Sequence, residues 1–98
     1  ADWISPRGVA NKIGTEAFAE LAMQKRVPVY VCAHSWKFSN KNFAIEQRSP
    51  DEVWPKAPKG VKIYNPAFEI AEAKYIASVV SELGVLSFKE FVRLATWT

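Results

Sequence analysis

Apolar and polar positions fall into blocks along this chain, and the blocks predict a mixed α/β order. Residues 1–14 are polar and turn-rich, with Pro6, Gly8 and Gly14, and read as a loop. Thr15 then looks like a helix N-cap, with Glu16 well placed in the first turn. Ala17, Phe18, Leu21 and Ala22 recur at helical spacing, Lys25 and Arg26 suit the C-terminal end, and Pro28 excludes further helix. Val29-Tyr30-Val31-Cys32-Ala33 is continuously apolar, which predicts a strand buried on both faces, as in a parallel sheet.

Residues 39–60 are polar and carry Pro50, Pro55 and Pro58, so they read as a long connection. Within it, Ser49-Pro50-Asp51-Glu52 has a capping-box pattern that predicts one short helical turn. Residues 61–64 alternate and read as a short strand, closed by Asn65-Pro66. Ala71, Tyr75, Ile76, Val79, Val80 and Leu83 form a helical apolar stripe, with Gly84 where a C-terminal cap belongs. Ser87 with Glu90 opens a last helix carrying Phe88, Phe91, Val92 and Ala95. The fold class is α/β, a parallel sheet flanked by helices. Two strands and three helices make a thin core for such a sheet, which points to further sequence upstream.

Composition narrows the function. Of 98 residues, 49% are hydrophobic and 23% charged, as in a folded domain. No run reaches the roughly 18–20 apolar residues of a membrane span, and no secretory signal pattern is visible. The single cysteine, Cys32, excludes an internal disulfide and a cysteine-based metal site, and fits a cytoplasmic setting. It lies inside an apolar run and reads as a buried thiol rather than a nucleophile. The net charge of +3 is too mild and too evenly spread to argue for nucleic acid. No P-loop, dinucleotide fingerprint or metal-ligand cluster occurs, so neither cofactor nor metal is expected.

In open α/β sheets, ligands bind beyond the carboxyl ends of the strands. Two segments belong there: the loop from Asp2 to Gly14, and His34-Ser35-Trp36-Lys37 after the strand ending at Ala33. A helix N-terminus after Gly14 offers unpaired N–H groups to an anion, with Lys12 beside it and Asn11 able to donate or accept. Lys37 can reach the same anion from the neighbouring loop, and Asp2 supplies a carboxylate for acid–base work. The pattern alone also fits an ordinary loop-to-helix entry, a solvated Asp2 and a surface Lys37. Trp3, Trp36, Trp54 and Trp97 read as packing or subunit-contact residues, and His34 as structural or solvent-facing.

Asn11-Lys12-Ile13-Gly14-Thr15, an Ala-rich helix and then Val27-Pro28-Val29-Tyr30-Val31 resemble one superfamily. It contains methylthioribose-1-phosphate isomerase, ribose-1,5-bisphosphate isomerase and the regulatory alpha, beta and delta subunits of translation initiation factor 2B. Lys37-Phe38, the segment from Glu46 through Pro50 to Val53, and Asn65-Pro66-Ala67-Phe68 follow in that family's order. The resemblance covers nearly the whole chain.

It implies that residues 1–98 are the C-terminal part of a Rossmann-like domain whose upstream half lies outside the chain. By resemblance, Asp2 matches the isomerases' acid/base aspartate, and Asn11, Lys12 and Lys37 match their sugar-phosphate contacts. The implied reaction converts a phosphorylated aldose to the ketose by ring opening and proton shuttling between an aspartate and an upstream cysteine that is not Cys32. Neither metal nor nicotinamide takes part, and the chain alone, with half the pair, is expected to be inactive. The implied partners are a phosphorylated pentose, the upstream remainder and a further copy in a homo-oligomer, with no membrane and no direct nucleic-acid contact. The alternative is a non-catalytic subunit like those of factor 2B. Two departures stand out: Pro6-Arg7 replaces a common polar pair, and Glu69-Ile70-Ala71-Glu72 stands where the family usually continues with Asp, then Thr-Pro.

Overall fold

Within the first fourteen residues, residues 3–11 form a hairpin rather than a loop. Trp3-Ile4-Ser5 and Gly8-Val9-Ala10-Asn11 flank Pro6-Arg7, and the proline's fixed φ favours a tight turn there. In the computed structural model, which describes residues 1–40 and 48–97, these segments are strands β1 (Trp3–Ser5) and β2 (Gly8–Asn11). They pair antiparallel with Trp3 opposite Ala10 and Ser5 opposite Gly8. A third antiparallel strand, β4 (Glu69–Glu72), lies on the other side of β2, with Val9 opposite Ala71 and Asn11 opposite Glu69. Glu46 of the family-like segment lies outside the described residues.

Helix α1 (Thr15–Gln24) follows β2 directly. Its N-cap is Gly14 rather than Thr15: Gly14 has φ 106°, a left-handed conformation open to glycine at little steric cost. At the other end, Arg26 N–H donates to the Met23 carbonyl and Val27 N–H to the Ala22 carbonyl. These are the two bonds of a Schellman motif, with Arg26 at φ 59° where glycine is usual.

A second sheet holds β3 (Tyr30–Cys32), β5 (Ser78–Ser81) and β6 (Gly84–Ser87). The pair β3–β5 is parallel and β5–β6 antiparallel, so the α/β class holds while the sheet is mixed rather than parallel throughout. β3 stands at its edge, and Tyr30 and Cys32 are exposed. The expected burial on both faces is therefore absent, and the thiol is not buried.

The apolar stripe over residues 71–83 is not a helix. It splits into β4, a single 3-10 turn at Ala73–Tyr75, and β5. Val79, Val80 and Val85 prefer a pleated surface, and Glu82-Leu83 forms the two-residue connection of a hairpin whose glycine is Gly84. Residues 61–64 pair with no strand among the described residues, and Tyr64 is exposed. The last helix, α2 (Phe88–Thr96), forms as its pattern predicts, with Ser87 Oγ accepting the Glu90 N–H at 3.2 Å.

The core lies where the two sheets and α2 meet. Ile4, Val9, Val79 and Phe91 are fully buried, with Ile76, Phe88 and Ala95 around them. Phe38 meets Phe91 edge to face, centroids 6.4 Å apart. Burying a side chain the size of Phe91 stabilises by about 1.5–3 kcal/mol. In contrast, Phe18, Leu21, Met23, Val27 and Tyr30 around α1 and β3 are exposed, as are Trp36 and Trp97.

β2 and β4 approach so closely that a Cβ at Gly8 would stand 2.0 Å from the Ala71 carbonyl oxygen. Replacing Gly8 by Ala must push the strands apart, at a cost of at least about 1–3 kcal/mol. Thermal unfolding should show a Tm several degrees lower. An unchanged Tm would contradict this pairing.

Candidate functional site

The hairpin register gathers three of the candidate residues at one end of the first sheet. The Asp2 N–H donates to the Ala10 carbonyl at 2.8 Å, which holds Asp2 at the hairpin mouth beside Asn11 and Lys12. A short parallel bridge sets Phe38 against Ile4, and Ser39 N–H donates to the Ile4 carbonyl at 2.8 Å. Lys37 is the last residue of the 3-10 turn Ser35–Lys37, immediately before that bridge. The hairpin register thus brings Asp2, Asn11 and Lys12 to one end of the sheet, while Lys37 lies in the turn that precedes the bridge to β1.

Asn11 and Glu69 stand directly opposite and so share a face of the sheet, the face of Val9 and Ala71. Both side chains reach the start of α1. Asn11 Nδ2 donates to Thr15 Oγ1 at 2.9 Å, and that hydroxyl donates to the Lys12 carbonyl at 2.7 Å. The Thr15 hydroxyl therefore closes the loop instead of capping the helix. Glu69 Oε1 accepts from Gly14 N–H at 2.8 Å and from Glu16 N–H at 3.0 Å. Two of the helix-end donors that the sequence offered to a phosphate are held by a carboxylate of the chain itself. Gly14 serves the left-handed turn and this bond.

Lys12 lines a polar cleft of about 290 Å³ with Arg48, Glu52, Asn65 and Phe68. Two of the quoted motifs meet here. Asn65 Nδ2 donates to the Ser49 carbonyl at 3.0 Å and to Glu52 Oε2 at 3.3 Å. The Arg48 guanidinium grips Glu52 through Nη2 at 2.8 Å and Nε at 3.1 Å. Ser49 Oγ accepts the Asp51 N–H at 3.2 Å, so the expected helical turn is present as a 3-10 turn over Pro50–Glu52. The Arg48 hydrogen bonds hold the Glu52 carboxyl below its ordinary range, with smaller help from Asn65 and the Lys12 charge.

A larger cleft of about 450 Å³ opens between α1 and β3, lined by Asn11, Thr15, Phe18, Tyr30 and Cys32 among others. Its walls are mostly apolar, which suits covering protein better than a phosphate. On the far side, His34 Nδ1 accepts the Trp36 N–H at 3.2 Å and lies 3.4 Å from Glu82 Oε2. The Ser35 N–H and hydroxyl donate to the two Glu82 oxygens, and the hydroxyl bond is what chiefly holds the Glu82 carboxyl low. That fixes the turn at Ser35–Lys37 and with it the backbone of Lys37. The signal for Glu69 and Glu82 was weak in sequence, because a carboxylate bound to backbone some 50 residues away leaves no local pattern.

A hairpin feeding a glycine-turned helix, beside a mixed sheet closed by a second helix, is an α/β arrangement. The chain belongs to the initiation factor 2 subunit family, whose model matches residues 1–88. It is 42% identical over 94 residues to ribose 1,5-bisphosphate isomerase of Methanocaldococcus jannaschii, covering 88% of the chain and 30% of that relative. The 5-methylthioribose 1-phosphate isomerase structure from Pyrococcus horikoshii superposes with TM-score 0.81 at 31% identity, over 99% of this chain and 31% of that one. The delta subunit of translation initiation factor eIF-2B from A. fulgidus superposes with TM-score 0.84 at 30% identity, over 100% of this chain and 32% of that one. The resemblance seen in the motifs therefore holds, and the chain spans about a third of the length of these relatives. Among the described residues no helix is long and apolar enough to cross a membrane.

Because the folded Glu52 carboxyl titrates below its unfolded value, its contribution to the 49–65 contact is complete above the unfolded value. It is lost as pH falls through the lowered one. NMR titration should give Glu52 a midpoint below that of ordinary glutamates, and Arg48→Ala should raise it. A midpoint that ignores Arg48→Ala would break this link.

Proposed function

We propose that this chain carries the acid/base aspartate and the phosphate-binding loop of a sugar-phosphate aldose–ketose isomerase, of the ribose 1,5-bisphosphate type. The observation that supports the reading is the hairpin register that sets Asp2 beside Asn11 and Lys12. Relatives about 40% identical that are named for sugar-phosphate isomerisation support it.

The reaction balances internally. A furanose 1-phosphate becomes its open-chain 2-ketose when C1–O4 breaks, a hydrogen moves from C2 to C1, and the C2 hydroxyl proton is replaced by one delivered to O4. No oxidant is consumed. A proton acceptor and donor beside C1 and C2 suffices, and Asp2 is the chain's candidate for one half. The other half, by resemblance, is a cysteine outside this chain; the exposed Cys32 on β3 is not assigned that role. Asn11, Lys12 and Lys37 would hold the phosphate, so that binding fixes the reacting carbons against Asp2. Lys12 and Lys37 supply point charges that suit a phosphate dianion.

The chain is proposed to be the C-terminal part of a Rossmann-like domain. The edge position of β3 and the exposed apolar residues of α1 support a preceding strand and helix packed there. The similarity to the eIF-2B delta subunit favours a second reading, a non-catalytic subunit binding protein partners through such faces.

Phosphorus and proton NMR of the full-length protein with ribose 1,5-bisphosphate, and with methylthioribose 1-phosphate beside it, separates the two. The isomerase reading predicts a ketose signal from one of them. No conversion of either by folded protein supports the regulatory reading. Asp2→Asn should cut kcat by about 10²–10⁴-fold, the usual range for acid–base catalysis, and leave phosphate binding intact. Unchanged kcat would remove Asp2 from the mechanism.

A further inference from the structure

A carboxylate at a helix N-terminus takes up the electrostatic role that a bound phosphate would otherwise fill. In this chain the start of α1 already has its anion. Glu69 Oε1 accepts from both Gly14 N–H and Glu16 N–H, at 2.8 and 3.0 Å, from a strand 53–55 residues further along the chain. Strand pairing fixes the approach: Glu69 stands opposite Asn11, whose side chain bonds Thr15 on the same helix turn. One residue ties the sheet, the loop and the helix together.

We infer that Glu69 is a positioning residue that fixes the loop from Asn11 to Thr15 and reserves the helix N-terminus against the substrate's phosphate. The phosphate is thereby directed to the Lys12 side chain. A phosphate at the helix end would have to displace Glu69 and would face the carboxylates of Glu69 and Glu16 together. Lys12 instead lines a cleft with Arg48, Glu52 and Asn65, where the one carboxylate is already bonded by the Arg48 guanidinium and Asn65 Nδ2. This rests on the proposal that the loop binds a phosphate, and it adds where on the loop the phosphate sits and which group excludes it elsewhere.

The test uses the full-length protein with inorganic phosphate as the probe, read by NMR at the Gly14 and Glu16 amides and at the Lys12 side chain. Wild-type protein should show saturable shifts at Lys12 and none at the two amides. Glu69→Ala frees both donors and should add saturable shifts at both amides. Glu69→Gln keeps an acceptor but removes the charge, and should show the same new shifts at higher phosphate concentration. It also serves if the alanine variant fails to fold. Phosphate-dependent shifts at Gly14 and Glu16 in the wild type would overturn the inference, as would their absence in the folded variants. Silence at Lys12 in the wild type counts against the phosphate-binding reading instead, and the amide comparison between wild type and variants still decides the role of Glu69.

Discussion

A glutamate carboxylate bound to two backbone N–H groups organises the candidate site. Glu69 sits on β4, and the groups it binds begin α1, so the bond joins a sheet strand to a helix distant in sequence. The geometry uses two orphan donors of the helix end and places a negative charge at the positive end of its dipole. Both effects favour one arrangement of the loop between Asn11 and Thr15. The left-handed turn at Gly14 then sets the angle at which α1 leaves the sheet, and the Asn11–Thr15 bond closes the turn from the other side. Side-chain placement at the proposed site therefore depends on sheet pairing more than on local helix propensity.

The distribution of apolar residues separates what this chain satisfies by itself from what it leaves for others. Ile4, Val9, Val79 and Phe91 form a closed core between the sheets and α2. Around α1 and β3, by contrast, Phe18, Leu21, Val27 and Tyr30 keep about half or more of their surface exposed. Large apolar patches are rare on isolated soluble domains and mark contact surfaces. A strand edge with unpaired backbone beside such a patch is the usual place for further sheet. The chain spans about a third of its relatives' length, which accords with protein covering this side.

Much of the fold was legible in the residues, and its failures have physical causes. α2 was readable because amphipathic spacing and a local cap agree, as with Ser87 and Glu90, and α1 from its spacing and the stop at Pro28 although its cap is Gly14 and not Thr15. The hairpin at the N-terminus was hidden by its length: strands of three and four residues around Pro6-Arg7 carry too few positions to show a period of two. Residues 71–83 misled in the opposite direction. Ala71, Ile76, Val79 and Leu83 happen to fall near helical spacing, while β-branched Val79 and Val80 and the hairpin glycine Gly84 decide for strands. At the site, motif resemblance picked out Asp2, Asn11, Lys12 and Lys37. It did not reveal Glu69 as a helix cap, because the match between a carboxylate and two distant N–H groups exists only after β4 pairs with β2.

The proposed site at the sheet end beside α1 would seat a sugar phosphate with its reacting carbons at Asp2 and its phosphate on Lys12. A crystal structure of the full-length protein bound to ribulose 1,5-bisphosphate tests it most directly. The account predicts phosphate oxygens within hydrogen-bond reach of Lys12 Nζ, C1 and C2 beside the Asp2 carboxylate, and Glu69 still bound to Gly14 N–H. A ligand seated in the apolar cleft between α1 and β3, or a phosphate on the helix N-terminus in place of Glu69, would contradict it.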